Sequence, residues 1–280
     1  MLLPPLLSCW PLLAAPAGRA ASPALWERLE RRQLDKPIFN APPAEQAYPD
    51  WLLGSWRATA SFAGYAFPST RLSKARVVAD VSTPGFQKLS IAYLPDVGAT
   101  DVNYRVLFER RTPSGPVTEA RAANLASLVD SYTRGRTVDS VEYEPTRNAN
   151  RLTIRLVRGA TVNAERIELF SNARESALRD DGVFFAAEAL RQVTLGYTTQ
   201  FNTPRVAVTD YQHVWSYRLL PDGAVRCTLS TAGYIQPNEA LAGTAAPGAP
   251  PQLGSLLAVS TEPVVLYSHV ISLARDGLSV

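Results

Sequence analysis

Residues 211–229 read YQHVWSYRLLPDGAVRCTL. Tyr211, His213, Trp215, Tyr217 and Leu219 fall at alternate positions, with Gln212, Ser216 and Arg218 between them. A period of two puts the aromatic set on one face of an extended strand, and that face should point inward. Pro221-Asp222-Gly223 then suits a three-residue hairpin loop with glycine in the left-handed position. Such a loop sets Leu219 opposite Val225, Tyr217 opposite Cys227 and Trp215 opposite Leu229. A register one residue shorter or longer would turn the aromatic face toward Arg226 and Thr228, so burial and turn chemistry select the same pairing. Cys227 should therefore be buried and inert.

The same alternation recurs on both sides of this hairpin. Trp56, Ala58, Ala60 and Phe62 alternate with Arg57, Thr59 and Ser61, and Leu152, Ile154 and Leu156 alternate with Arg151, Thr153 and Arg155. Further β-rich runs cover 76–81, 86–93, 102–110, 137–143, 161–170 and 183–193, and Val265, Tyr267, His269, Ile271 and Leu273 share a face in a final strand over 264–273. Turn residues separate the runs at Pro113-Ser114-Gly115-Pro116, Asn148-Ala149-Asn150 and Asp180-Asp181-Gly182. Strands recurring without long helices between them predict an all-β domain, a single antiparallel up-and-down β-barrel.

The barrel is expected over 48–276, opening with YPDWLLGSWRATASFAGYAF at 48–67 and interrupted by an Ala/Pro/Gly-rich insertion at 237–255 that should be mobile. Residues 23–47 combine a short amphipathic helix (Leu25, Trp26 and Leu29 at helical spacing) with a proline-rich linker. Residues 1–22 form an apolar leader that ends in small residues at Ala15-Pro16-Ala17, as translocation signals do. It is too short and too rich in proline for a spanning helix.

Composition narrows the function classes. A net charge of +3 spread along 280 residues leaves no footprint for nucleic acid. The two cysteines, Cys9 and Cys227, lie in leader and strand, so the mature domain has no disulfide of its own. Metal-ligand spacings, Gly-x-Ser-x-Gly, His-Glu-x-x-His and phosphate loops are all absent from the sequence. No cofactor, no metal and no catalytic residue is expected on these grounds.

Gly54-Ser55-Trp56, Thr209-Asp210-Tyr211 and Arg275 resemble, in order, the three short signatures of the lipocalins. The likeness implies a lipocalin-like barrel in which Gly54, Trp56 and Arg275 plug one end, the tryptophan packing under the arginine. A broader likeness covers nearly all of 48–275. YPDWLLGSW, SFAGYAFP, TPGFQKLSIAYLPDVG, NRLTIRL, FFAAEALRQV and EPVVLYSHVISL resemble, in this order, the domain of unknown function 6816 family of cyanobacteria and chloroplasts. That resemblance implies a chloroplast protein and, with the leader, the thylakoid lumen; the family brings no assigned reaction.

Two functions of different class follow. In a binding module, Tyr211, Trp215, Tyr217 and Tyr267 would supply contact area to a small hydrophobic ligand (lipid, pigment or quinone), with His213 and His269 as polar anchors; alternatively the chain docks on a thylakoid membrane complex. In an enzyme acting on such a ligand, His213, His269 and Glu188 would be the acid and base groups. The same rings can equally fill a small barrel, and cavity size separates a carrier from a docking protein.

Overall fold

The computed structural model describes residues 23–36, 44–70, 101–161, 164–196, 206–234 and 261–277. The strands expected at 76–81 and 86–93, the leader at 1–22 and the insertion at 237–255 lie outside the described residues. Strands β1 (Gly54–Ala66), β2 (Val102–Arg110), β3 (Val117–Glu119), β4 (Val138–Glu142), β5 (Arg151–Leu156), β6 (Arg166–Leu178), β7 (Phe184–Leu195), β8 (Val206–Leu219), β9 (Val225–Tyr234) and β10 (Val265–Arg275) form one antiparallel sheet. Its order is β3-β2-β1-β10-β9-β8-β7-β6-β5-β4, an up-and-down meander in which the first and last strands also pair.

The register agrees with the turn chemistry. Leu219 faces Val225, Tyr217 faces Cys227 and Trp215 faces Leu229, with Gly223 at φ 82° closing the hairpin where a side chain would be strained. Leu219, placed inward by its parity, is 44% exposed because it lies at the strand end beyond the packed interior. Register shifts between Phe62 and Gly64 in β1 and between Ser171 and Ala173 in β6 bend long strands, and bulges of this kind help to curl a sheet.

The curl is a half-barrel: among the described residues the strand ladder ends at β3 and β4, and a helix stands between them. The sequence reading expects no long helix between the strands at 102–110 and 137–143, yet α2 (Arg121–Tyr132; α1 is Leu25–Glu30) runs three turns there. Leu125, Leu128 and Val129 recur at helical spacing and pack into a cluster with Leu152, Ile154, Ile167 and Leu169 of β5 and β6. The polar residues of α2 serve the sheet edges. Asn124 Oδ1 accepts from Leu107 N at 2.8 Å and Ser127 Oγ accepts from Arg105 N at 2.9 Å, while Asp130 Oδ1 accepts from Thr137 N and Val138 N at 2.7 and 2.8 Å. Backbone donors that a closed ladder would pair are satisfied by side chains instead.

Helix α1 packs against the outside of the sheet. Leu25 and Leu34 join Phe185, Ala187, Val214, Ala232 and Tyr234, the outward residues of β7, β8 and β9. Tyr234 donates its hydroxyl to the Leu34 carbonyl at 2.6 Å, and Lys36 reaches Asp210 at 2.9 Å. Apolar cover on both faces explains why FFAAEAL in β7 reads as a run with little alternation.

Candidate functional site

One end of the half-barrel is built around Trp56. The indole is fully buried (0% exposed), its Nε1–H donates to the Leu52 carbonyl at 2.7 Å, and the Arg275 guanidinium lies over the ring 4.0 Å from its centroid. Arg275 also donates to the carbonyls of Leu53 and Trp51 at 2.5 and 3.1 Å, tying the last strand to the turn before the first. Gly54 holds φ 116°, where a side chain would be strained, and a Cβ there would meet an Arg275 nitrogen at 2.7 Å and displace it. Phe108, Phe184, Tyr217, Val225 and Leu273 are among the residues that pack into the cluster, and Tyr48 packs its ring on Phe108 at 4.9 Å.

The candidate ligand residues occupy one concave wall, on β8 and β10 with β9 between them. Trp215 and Tyr217 pack into the Trp56 cluster. Tyr211 packs against His213 at 4.8 Å and His213 against Trp215 at 5.3 Å, both with tilted rings, while His269 meets Tyr267 at 5.9 Å and Phe62 at 5.7 Å edge-on. His213 Nδ1 lies 2.8 Å from Thr231 Oγ1. His269 is 4% exposed, and its Nδ1 is buried with no hydrogen-bond partner among the described residues. Burial, which disfavours the imidazolium, pushes the His213 pKa down to about 3 and that of His269 down to about 4, so both rings are neutral at pH 7.

A buried ionic cluster lies across the interior. Arg121, the first residue of α2, donates to both Glu188 oxygens at 2.8 and 3.0 Å, and Arg174 of β6 donates to Glu188 Oε1 at 2.8 Å. Arg174 also donates to the carbonyls of Ala44 and Ala149, each at 2.9 Å. Burial works against the Glu188 carboxylate, but the two guanidinium groups prevail and hold its pKa at about 2. Glu188 is thus an ionised, fully engaged anion at neutral pH and has no proton to give there. Glu119, beside Asn124, is pushed upward by burial. Sequence reasoning singled out Glu188 but missed Arg121 and Arg174. A lone carboxylate within FFAAEAL signals a buried partner, though not its identity.

Between cluster and rings is a cavity of about 60 Å³, bordered by Tyr104, Glu119, Asn124, Trp215, Cys227 and Leu229. That is room for about two waters, well below the roughly 300 Å³ at which ligand pockets begin. Burial raises the Cys227 thiol pKa far above its ordinary value, against a hydrogen bond from Tyr217. Among the described residues no three His, Cys, Asp or Glu side chains gather as a metal site, and no helix is long and apolar enough to cross a membrane.

These features define a class: an antiparallel up-and-down β half-barrel with a tryptophan–arginine closed end and a helix along its open seam. A family model described as Domain of unknown function (DUF6816) matches residues 40–276, and the chain belongs to that family. Comparisons with curated proteins and with solved structures find no match.

Proposed function

We propose that this chain is a non-catalytic binding module of the chloroplast, working in the thylakoid lumen by docking on a photosynthetic membrane complex. The compartment rests on the apolar leader with its small-residue end and on the likeness to a family of cyanobacteria and chloroplasts. The observation that carries the docking role is the filled interior. Tyr217, Trp215, Phe108 and Phe184 pack against Trp56, and the cavity beside them is a fraction of what a lipid, pigment or quinone needs. Recognition then falls to the outside of the barrel.

One observation favours a second reading, a carrier of a small apolar ligand with one polar group. His269 Nδ1 is a buried nitrogen without a hydrogen-bond partner among the described residues, set in an aromatic wall. An enzyme using His213 and His269 would need these neutral rings to exchange protons in their buried setting, and Glu188 would have to leave two guanidinium groups. The test is native mass spectrometry, with lipid and pigment extraction, on protein purified from its own membranes. Recovery with a membrane complex and no stoichiometric small molecule is the expected result. A stoichiometric copurifying ligand lost in His269→Phe would establish the carrier and overturn the docking role.

A further inference from the structure

The outer face of β1, β2 and β10 carries a feature that the interior does not explain. Arg57 of β1 and Arg105 of β2 are direct cross-strand partners. Their side chains point outward and are each 67% exposed. Opposed positions in an antiparallel pair hold their Cβ atoms about 5 Å apart, where like charges repel. One carboxylate moderates the pair: Asp276 lies 3.8 Å from Arg57 Nε and 3.3 Å from Arg105 Nε. Among the described residues, two guanidinium groups meet this one carboxylate, each approaching it with its Nε, which leaves the described part of the face with an excess positive charge.

The two arginines border a groove. Arg57, Arg105, Thr59, Asn103 and Ser272 line it from the sheet, and Ser127 lines it from α2. Its volume is about 630 Å³, and among the described residues no carboxylate lines it. Asp101, the next acidic residue along this face, accepts a hydrogen bond from Ser61 at 2.7 Å. A paired arginine fork matches the oxygens of a tetrahedral anion, and hydroxyls and an amide around it suit a body bearing many hydroxyls. The apolar part of the lining comes from Ala58, Ala274 and the ring of Tyr104.

The structure assigns this groove as an oxyanion site for a phosphate, sulfate or sulfonate group carried on a polyol, either a free sugar phosphate or an anionic lipid head group. It goes beyond the docking role and does not depend on it. Calorimetry of the full chain with glucose 6-phosphate against glucose tests the free ligand, and flotation with phosphatidylglycerol against phosphatidylcholine vesicles tests the head group. Binding of glucose 6-phosphate identifies the free source, binding of the anionic vesicles alone identifies the lipid source, and either supports the site. Arg57→Gln and Arg105→Gln should each weaken binding about tenfold or more. Arg226→Gln, at the cross-strand partner of Ser272 and not itself a lining residue, should weaken binding less than either groove arginine does. Thr59→Val keeps both charges and should weaken binding several-fold, which preserves the test if an arginine variant unfolds. Failure of both ligands to bind, or an equal loss in Arg226→Gln, would overturn the assignment and leave the docking role standing.

Discussion

Replacing Trp56 by alanine tests the closed end of the half-barrel, because three separable interactions meet on that side chain. Its ring is fully buried, and removing a buried aromatic side chain costs about 3–5 kcal/mol for transfer and cavity together. The Leu52 carbonyl loses the indole donor that now lies at 2.7 Å, which adds about 1 kcal/mol. Arg275 loses the ring face 4.0 Å below it, worth about 0.5–1 kcal/mol for a guanidinium in contact with water. Trp56→Ala should therefore destabilise by about 4.5–7 kcal/mol. Trp56→Phe keeps a ring under Arg275 but removes the N–H and some volume, and should cost about 1–3 kcal/mol. Urea unfolding followed by far-ultraviolet circular dichroism measures both, with the slope m unchanged if only stability moves. A loss below about 1 kcal/mol for Trp56→Ala would refute the end-plug argument, and equal losses for both variants would remove the ring–guanidinium part of it.

Acid should weaken the fold in two stages. His213 and His269 have folded pKa values below the unfolded value near 6.5, so the unfolded chain binds the extra protons; lowering the pH from 7 to 5 should cost on the order of 2–4 kcal/mol, and a flat profile over that window would contradict their burial. The Glu188 contribution is complete above its unfolded value near 4.5 and is lost as the pH falls toward about 2, which should appear as a second decline absent from Glu188→Gln. At pH 7, Glu188→Gln strands two buried guanidinium groups and should cost about 3–5 kcal/mol in urea, a much smaller loss showing that Arg121 and Arg174 find water instead. Asp130→Ala removes the acceptor shared by Thr137 N and Val138 N and should cost about 1–3 kcal/mol, with faster amide exchange at those two positions. Cys227 should resist thiol reagents in the folded protein at pH 8 and react once unfolded, as peptide mass spectrometry would show.

Period-two patterning and turn chemistry made the strands legible wherever one face meets the core and the other meets water. β8 and β9 are the clearest case, since Gly223 and the aromatic parity independently require one register. Helix α2 was less legible. Leu125, Leu128, Val129 and Tyr132 have helical spacing, but Ala120 supplies no side-chain cap and Arg121 places a cation in the first turn, so the usual start signals are missing. The ionic cluster was legible only as the lone Glu188. Its partners are separated from it by 67 and 14 residues, and pairing at that range is decided by the curl of the sheet.

The missing helix signals and the buried cluster have one explanation. Arg121 is unfavourable at the start of an isolated helix, where the backbone dipole repels a cation, yet here that residue is held by Glu188. Glu188 is held in turn by Arg174, whose remaining donors reach the backbone at Ala44 and Ala149. The network thus joins the start of α2 to β6, β7, the turn before β5 and the segment leading into β1. Where a closed barrel would join its edges by a ladder, this fold fixes a helix between them with one buried carboxylate and caps the edge amides from that helix. The two kinds of join differ in what holds them: the arc from β1 through β10 to β6 is held by continuous backbone pairing, and α2 is held to the sheet edges by side chains.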